Sequence, residues 1–287
     1  MRRYYFNGGL TVEQENLTAF QNTLRREERA EGTIEKYVRD VRAFLAFLGN
    51  DPLCKETVAS WKGALSARGR APVTINSMLA ALNRYLRFIG REDCRVSFLK
   101  IQRKVFRDAD RELSKGEYQR LIETASSQGK ARLALLMESI GATGIRVSEV
   151  KYLTVEAARQ GRADISLKGK LRTILIPGKL RRKLLNYAKK QHIPSGEIFL
   201  TGRGRSLTRR QIWAEMKGLC QAAGVAATKV FPHNLRHLFA VTFYRACRDV
   251  ARLADVLGHS SINTTRVYLI STGREHAEQL NRLGLVR

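Results

Sequence analysis

The chain of 287 residues carries 52 Lys and Arg against 26 Asp and Glu, a formal net charge of +26. Its hydrophobic content of 44% excludes a wholly disordered chain, and the length suffices for two domains that each bury a core. The charge predicts a polyanionic partner. DNA or RNA is favoured over a membrane surface, because the sequence shows neither an apolar run long enough to span a bilayer nor a basic amphipathic anchor.

The four cysteines, Cys54, Cys94, Cys220 and Cys247, form no Cys-x-x-Cys pair. This spacing disfavours both a zinc knuckle and a disulfide framework, and it fits a reducing compartment. Residues 1–9 lack the apolar segment of a secretory signal. We therefore expect a cytoplasmic protein, at the nucleoid of a prokaryote if DNA is its partner.

Apolar residues at helical spacing predict four helices in the first part of the chain, over about 11–28, 33–48, 55–67 and 74–89. No strand pattern interrupts them. Basic residues lie along these helices, at Arg25, Arg26, Arg29, Lys36, Arg68, Arg70, Arg84 and Arg87. A solvated basic face is one interpretation, but the net charge of the chain favours a surface that faces DNA.

Between Arg91 and Glu112 the periodicity lapses into a strongly charged stretch, which we interpret as an interdomain linker along the DNA backbone. Asp108 and Asp110 are conceivable metal ligands. The absence of a third carboxylate or a histidine nearby favours ordinary linker charge.

A second domain begins near residue 113, where Ser114 and Glu117 have the spacing of a capping box. Helices are predicted over about 114–126 and 131–141, and a glycine-rich turn follows. Arg146 lies between that turn and the start of the next predicted helix, a position that suits an anion. Pairing with Glu149 as a structural bridge is the equal alternative.

Short alternating or apolar runs over 163–167 and 171–176, joined by Lys168-Gly169-Lys170, predict a β-hairpin. A lysine on this turn can protonate a leaving alkoxide, although a solvated turn lysine is the more ordinary interpretation. A basic helix to about residue 190, a short strand near 198–200 and a helix over about 208–222 follow.

The stretch from Phe231 to Tyr268 contains the residues with the clearest chemical meaning. Pro232 suits the first turn of a helix, on which His233 and Arg236 share a face and can reach one phosphate. A glycine ends the next helix and leaves His259 at a turn. Tyr268 follows nine positions later and can act as a nucleophile if cations stabilise the group it attacks.

Taken singly, a histidine or tyrosine in an amphipathic helix is more often an ordinary residue than a catalytic one. A zinc site at His233 and His237 is disfavoured, because Asn234 stands where such a site needs a glutamate. Beyond Tyr268, apolar spacing predicts a tail helix over about 275–283 with an apolar face to dock.

In combination, these residues resemble the tyrosine recombinase (phage integrase) family, and the chain is similar in size to its compact Xer-like and transposon-borne members. The family pattern is an arginine in a Gly-x-Arg-x-Ser-Glu segment, a hairpin lysine, His-x-Leu-Arg-His, Leu-Gly-His and a later tyrosine. Its counterparts here are Gly144–Glu149, Lys168, His233–His237, Leu257–His259 and Tyr268.

The resemblance implies a mainly α fold. A helical core-binding domain over 1–100 and a linker over 101–112 would precede a catalytic domain over 113–287, which is mostly helical with a small antiparallel sheet. The two domains would close as a C-shaped clamp on duplex DNA.

The resemblance also implies a mechanism. Tyr268 would attack a scissile phosphate to form a 3′-phosphotyrosyl link, with Arg146 and Arg236 on the non-bridging oxygens. His233 and His259 would complete the pocket. Such chemistry requires no metal and no cofactor, because cationic side chains supply the charge.

The general acid for the leaving 5′-oxygen would be Lys168, with Lys170 as the alternative on the same turn. The implied partners are duplex DNA at recombination sites, three further copies in a tetramer held by the tail, and accessory proteins. The expected activity is site-specific recombination, for integration or excision of a mobile element or for resolution of dimers. A type IB topoisomerase-like or hairpin-forming strand transferase is the alternative activity, and a DNA-binding protein without catalysis is the alternative from another class.

Overall fold

The computed structural model describes residues 10–101, 109–167, 170–269 and 281–283. The chain divides into two compact units, Met1–Arg103 and Lys104–Arg287. Most of the expected linker, at 102–108, lies outside the described residues, so the linker remains a prediction. Within the described ranges, no helix is both long and apolar enough to cross a membrane.

The first unit is helical throughout its described part, as the apolar periodicity predicts. Its helices are α1 (Leu10–Arg26), α2 (Glu31–Leu48), α3 (Lys55–Ala67) and α4 (Pro72–Phe88). Each presents a stripe of apolar side chains to a common core. Aromatic edge-to-face pairs join the stripes: the ring centroids of Phe20 and Tyr85 are 5.3 Å apart, as are those of Phe44 and Trp61.

The second unit contains eight further α-helices and one hairpin within its described residues. They are α5 (Lys115–Ser127), α6 (Ala131–Thr143), α7 (Val155–Gln160), β1 (Arg162–Leu167), β2 (Lys170–Leu175), α8 (Gly178–Lys190), α9 (Arg209–Lys217), α10 (Pro232–Cys247), α11 (Val250–Leu257) and α12 (Ile262–Arg266). The strands pair antiparallel, with Arg162 opposite Leu175 and Leu167 opposite Lys170. The predicted small antiparallel sheet is confirmed, and the mainly helical fold class is confirmed with it.

Helix α6 lies at the centre of this unit and packs against α5, α8 and α10. Its apolar residues Leu133, Leu136, Met137 and Ile140 are buried, because the helix is hydrophobic on nearly every face. This packing fixes the C-terminal end of α6, where the glycine-rich turn leads to Arg146.

Two local predictions differ from the structure. The strand expected near 198–200 is reduced to isolated bridges, one from Thr154 to Glu197 and one from Leu200 to Ser206, because no extended partner segment runs beside it. The segment after Arg146 forms a 3-10 helix, Val147–Tyr152, rather than an α-helix. The tighter turn keeps Glu149 close to Arg146.

Gly144 ends α6 in the left-handed conformation, with φ of 63°. A β-carbon there would collide with the ring of Phe239. We expect Gly144→Ala to lower the free energy of unfolding by about 1–2 kcal/mol for the left-handed backbone and by a further 1–3 kcal/mol, roughly, for overpacking. Urea denaturation measures this loss.

Gly129 is the matched control, since its φ is 70° and the position that a β-carbon would occupy has no neighbouring atom within 4 Å. Gly129→Ala should therefore lower the free energy of unfolding only by the contribution of the left-handed backbone. Equal losses in the two variants would contradict the steric argument at Gly144.

Candidate active site

Five of the six predicted site residues line one cavity of about 360 Å³ in the second unit. They are Arg146, His233, Arg236, His259 and Tyr268; the other lining residues are Ile145, Val147, Ser148, Arg209, Pro232 and Thr264. The five predicted side chains come from four separate stretches of sequence, which the packing of α10 and α11 on the α6 turn brings together.

The sixth predicted residue, Lys168, lies outside the described residues. Lys170 begins β2, but its side chain is likewise not described. The choice between the two lysines as general acid therefore remains a prediction.

Arg236 is buried near the start of α10, with only 3% of its surface exposed. Pro232 occupies the first turn of this helix, where no intrahelical N–H bond is lost. The guanidinium donates to the carbonyls of Gly144 and Leu257, the latter at 2.8 Å. Burial lowers the pKa of Arg236, and the positive charge of Arg146 lowers it further, so the arginine is held in a site that favours an anion.

Arg146 makes both of the contacts that its sequence position left open. Its backbone N–H and its guanidinium donate to the Glu149 carboxylate at 3.0 and 2.7 Å, while the same side chain also lines the cavity. A third bond, of 3.2 Å, runs to the carbonyl of Gly258. The Glu149 bridge thus orients Arg146 instead of removing it from the site.

Two arginines at the site were not among the predicted residues: Arg209, which lines the cavity, and Arg172, which lies beside it. The guanidinium of Arg172 donates to the Leu257 carbonyl and lies 3.7 Å from the Glu149 carboxylate, with 8% of the side chain exposed. Burial lowers its pKa to about 10. The signal was present in the strand period, since Arg172 shares a face of β2 with the buried residue Ile174.

His259 follows Gly258, which ends α11 with a φ of 61°. Its Nε2 lies 3.0 Å from a guanidinium nitrogen of Arg236, and its Nδ1 lies 2.9 Å from the hydroxyl of Thr265. Because an arginine can only donate, Nε2 must accept and Nδ1 carries the proton. Burial and then the charges of Arg236 and Arg146 lower the pKa of His259 to about 4, so the imidazole is neutral near pH 7.

His233 is the second histidine of the cavity. Burial lowers its pKa, and the neighbouring charge of Arg236 lowers it further. It is therefore also neutral near pH 7 and able to accept a proton.

Tyr268 is 5% exposed and lies in the 3-10 turn Val267–Leu269. Its ring stacks on that of His259, with centroids 5.9 Å apart and planes 9° from parallel. The rings of His237 and His233 lie at 5.2 and 6.4 Å. The tyrosine is thus held between histidines at the wall of a cavity that contains arginines.

This arrangement can bind a singly charged phosphate ester and bring a phenol to it. Arginine forks match the oxygens of a phosphate, and a tyrosine beside such donors is a nucleophile whose product is a phosphotyrosine.

Comparisons with known proteins agree with this chemistry. The model of the phage integrase family matches residues 111–274, and that of the phage integrase N-terminal SAM-like domain matches residues 17–93. Tyrosine recombinase XerA of Pyrococcus furiosus is 29% identical over 285 residues, covering 96% of each chain. Tyrosine recombinase XerD of Caulobacter vibrioides is 31% identical over 266 residues, covering 84% of this chain and 85% of the relative.

Solved structures share the fold at lower identity. A lambda integrase dimer bound to a COC′ core site matches with a TM-score of 0.73 and 18% identity, covering 91% of this chain and 96% of the other. The Tn1549 transposon integrase in complex with transposon right end DNA matches with a TM-score of 0.70 and 15% identity, covering 94% and 99%. With its second unit matched by the family model almost throughout, the chain belongs to the phage integrase family and is a tyrosine-type site-specific recombinase.

Proposed function

We propose that the protein cleaves and rejoins duplex DNA through a 3′-phosphotyrosyl intermediate on Tyr268. The observation that carries the proposal is that Tyr268, both histidines and the two predicted arginines, Arg146 and Arg236, line a single cavity. Attack by the phenol oxygen forms the tyrosine–phosphorus bond and breaks the bond to the 5′-oxygen. One phosphate ester replaces another, so rejoining to a 5′-hydroxyl requires no external energy source.

Arg146 and Arg236 bind the non-bridging oxygens of the scissile phosphate in this proposal. An arginine has five N–H donors. Arg236 uses some of them on the Gly144 and Leu257 carbonyls and on His259. Arg146 uses some on Glu149 and Gly258. The remaining donors serve the phosphate, and charge that develops in the transition state strengthens these bonds.

The two histidines take different roles. Both nitrogens of His259 are engaged, by Arg236 and Thr265, so His259 orients the arginine and supports the Tyr268 ring by stacking. His233 accepts the phenol proton. Lys168, or Lys170 in its place, returns a proton to the leaving 5′-oxygen.

Duplex DNA is the partner of both units in this proposal. On the first unit, within its described part, Arg26, Arg68 and Arg70 are exposed and have no carboxylate partner, so they are candidates for phosphate contacts. The other basic residues that the sequence predicts on this surface pair with carboxylates, as Arg84 does with Glu27.

We further propose a tetramer on two duplexes, held by the tail predicted over 275–283, of which only 281–283 are described. A lambda integrase tetramer bound to a Holliday junction shares the fold, with a TM-score of 0.71 and 18% identity. The reaction would serve integration or excision of a mobile element, or resolution of dimers, with accessory proteins selecting among these outcomes. It would take place in the cytoplasm, at the nucleoid.

A library of nicked duplexes with a randomised core tests the proposal. We expect a small fraction to be recovered as a covalent adduct that survives denaturing detergent, with the DNA joined through its 3′ end to Tyr268. The released strand should carry a 5′-hydroxyl that polynucleotide kinase labels without prior phosphatase treatment. An adduct at another residue, or a 5′-phosphate on the released end, would contradict the mechanism.

A further inference from the structure

Arg172 is a buried cation for which the proposed chemistry gives no role. It lies behind the cavity without lining it. Its Nε and Nη2 atoms are buried without a hydrogen-bond partner in the described part of the chain. A buried charge with unmet donors destabilises a fold, because desolvation is not offset by new bonds.

The local backbone is built to accept this side chain. A β-carbon at Gly258 would collide with Arg172, so the left-handed glycine that ends α11 also makes room for the guanidinium. If Arg172 served only to stabilise the fold, an apolar residue would do so better. Ile174 on the same face of β2, and Ile176 just after the strand, are both buried.

Within the described residues, Arg172 makes one hydrogen bond and one ion pair, and each is to a group that also holds a cavity arginine. The Leu257 carbonyl accepts from both Arg172 and Arg236. The Glu149 carboxylate contacts both Arg172 and Arg146. Movement of either acceptor therefore changes the direction of one phosphate-binding arginine.

We propose that Arg172 is a positioning residue for strand cleavage: it fixes Leu257 and Glu149, and through them the directions in which Arg236 and Arg146 meet the scissile phosphate. The inference rests on the proposed function above. Arg172 touches no substrate and acts only through these two acceptors. Misplacement of catalytic groups by about 1 Å costs on the order of 10²-fold in rate.

Arg172 also contributes to the field at the active-site histidine. The charged or titratable groups that face His259 are Arg236 and His233 from α10, Arg146 from the glycine turn, Arg172 from β2, and Tyr268, whose ring stacks on the imidazole. Removing one positive charge from this set makes protonation of His259 easier. A protonated Nε2 can no longer accept the bond from Arg236.

The test uses the full-length protein and the duplex enriched from the randomised library. Arg172→Met keeps the length of the side chain and removes its donors, and Arg172→Lys keeps the charge with a single donor head. The matched control is Arg162→Met, on the partner strand, where the side chain is 60% exposed. Adduct formation is measured in a single turnover at saturating protein, and DNA affinity is measured separately.

For Arg172→Met we expect a rate loss of about 10²-fold, with an unchanged dissociation constant for DNA. We also expect the acid limb of its pH–rate profile to move to higher pH. The rate of Arg172→Lys should lie between those of wild type and Arg172→Met, roughly tenfold below wild type. The acid limb of its pH–rate profile should stay near the wild-type position. Arg162→Met should match wild type in both measurements.

A wild-type rate in Arg172→Met would overturn the inference, and so would a loss of DNA affinity that accounts for the whole effect. If Arg172→Met does not fold, Arg172→Lys decides, and a wild-type rate there would overturn it. Failure of the proposed function is distinguishable, because wild-type protein would then form no adduct at Tyr268.

Discussion

Tyr268→Phe should abolish the covalent protein–DNA adduct while leaving DNA affinity unchanged. The substitution removes one hydroxyl and keeps the ring, so stacking on His259 and packing beside Leu257 are preserved. Removal of the nucleophile leaves no alternative route to a phosphotyrosine. We expect a loss of at least about 10³-fold, since residues that act as one catalytic unit give losses of that order or larger.

The measurement is the yield of detergent-resistant adduct on the enriched duplex, together with a binding titration. Tyr244→Phe is the matched control, because Tyr244 packs against the same small apolar cluster as Tyr268. It should form adduct at the wild-type level. Adduct from Tyr268→Phe at that level would show that another residue is the nucleophile.

Arg236→Lys is expected to reduce the rate of adduct formation by about 10²–10³-fold, the usual cost of removing one donor to a developing oxyanion. Charge is retained, but the planar fork is lost. An ammonium group has three donors against the five of a guanidinium, too few to keep the contacts with Gly144, Leu257 and His259 and also bind the phosphate. The substitution separates geometry from charge at this position.

The control is Arg252→Lys, an exposed position on α11, which should cleave at the wild-type rate. Thermal melting must accompany the assay, because Arg236 is buried and its bonds link the α6 turn to α11. Wild-type cleavage by a folded Arg236→Lys protein would refute the role of Arg236 as a phosphate clamp.

The fold class was predictable because it depends on local pattern. Apolar residues at helical spacing predicted α2 and α4. Two short alternating or apolar runs, joined by a turn with two lysines, predicted the hairpin. The candidate site was predictable through the family resemblance, which rests on the order and spacing of a few motifs around Arg146, His233 and Tyr268. The structure brings these residues to one cavity, although their catalytic roles remain a proposal.

The sequence does not show which carbonyl and carboxylate groups accept hydrogen bonds from arginines far away in the chain. Nothing in the local pattern of Leu257 indicates that its carbonyl receives two arginines from distant elements. From the sequence, pairing with Glu149 and binding an anion are alternatives for Arg146. In the structure, Arg146 pairs with Glu149 and lines the cavity at the same time. For Arg172, the strand period indicates the buried face of β2, but an arginine in a short strand is ordinarily solvated, so its identity gives no sign of burial.

The apolar cluster around Tyr268 bears on the local stability of the segment that carries this tyrosine. Tyr268 packs with Ala240, Leu253 and Leu257 in a cluster separate from the main core of the second unit. Segments held by few buried contacts open at a small fraction of the global free energy of unfolding. We therefore expect the backbone amides from α11 to Tyr268 to exchange with solvent faster than those of α6, which hydrogen–deuterium exchange measures.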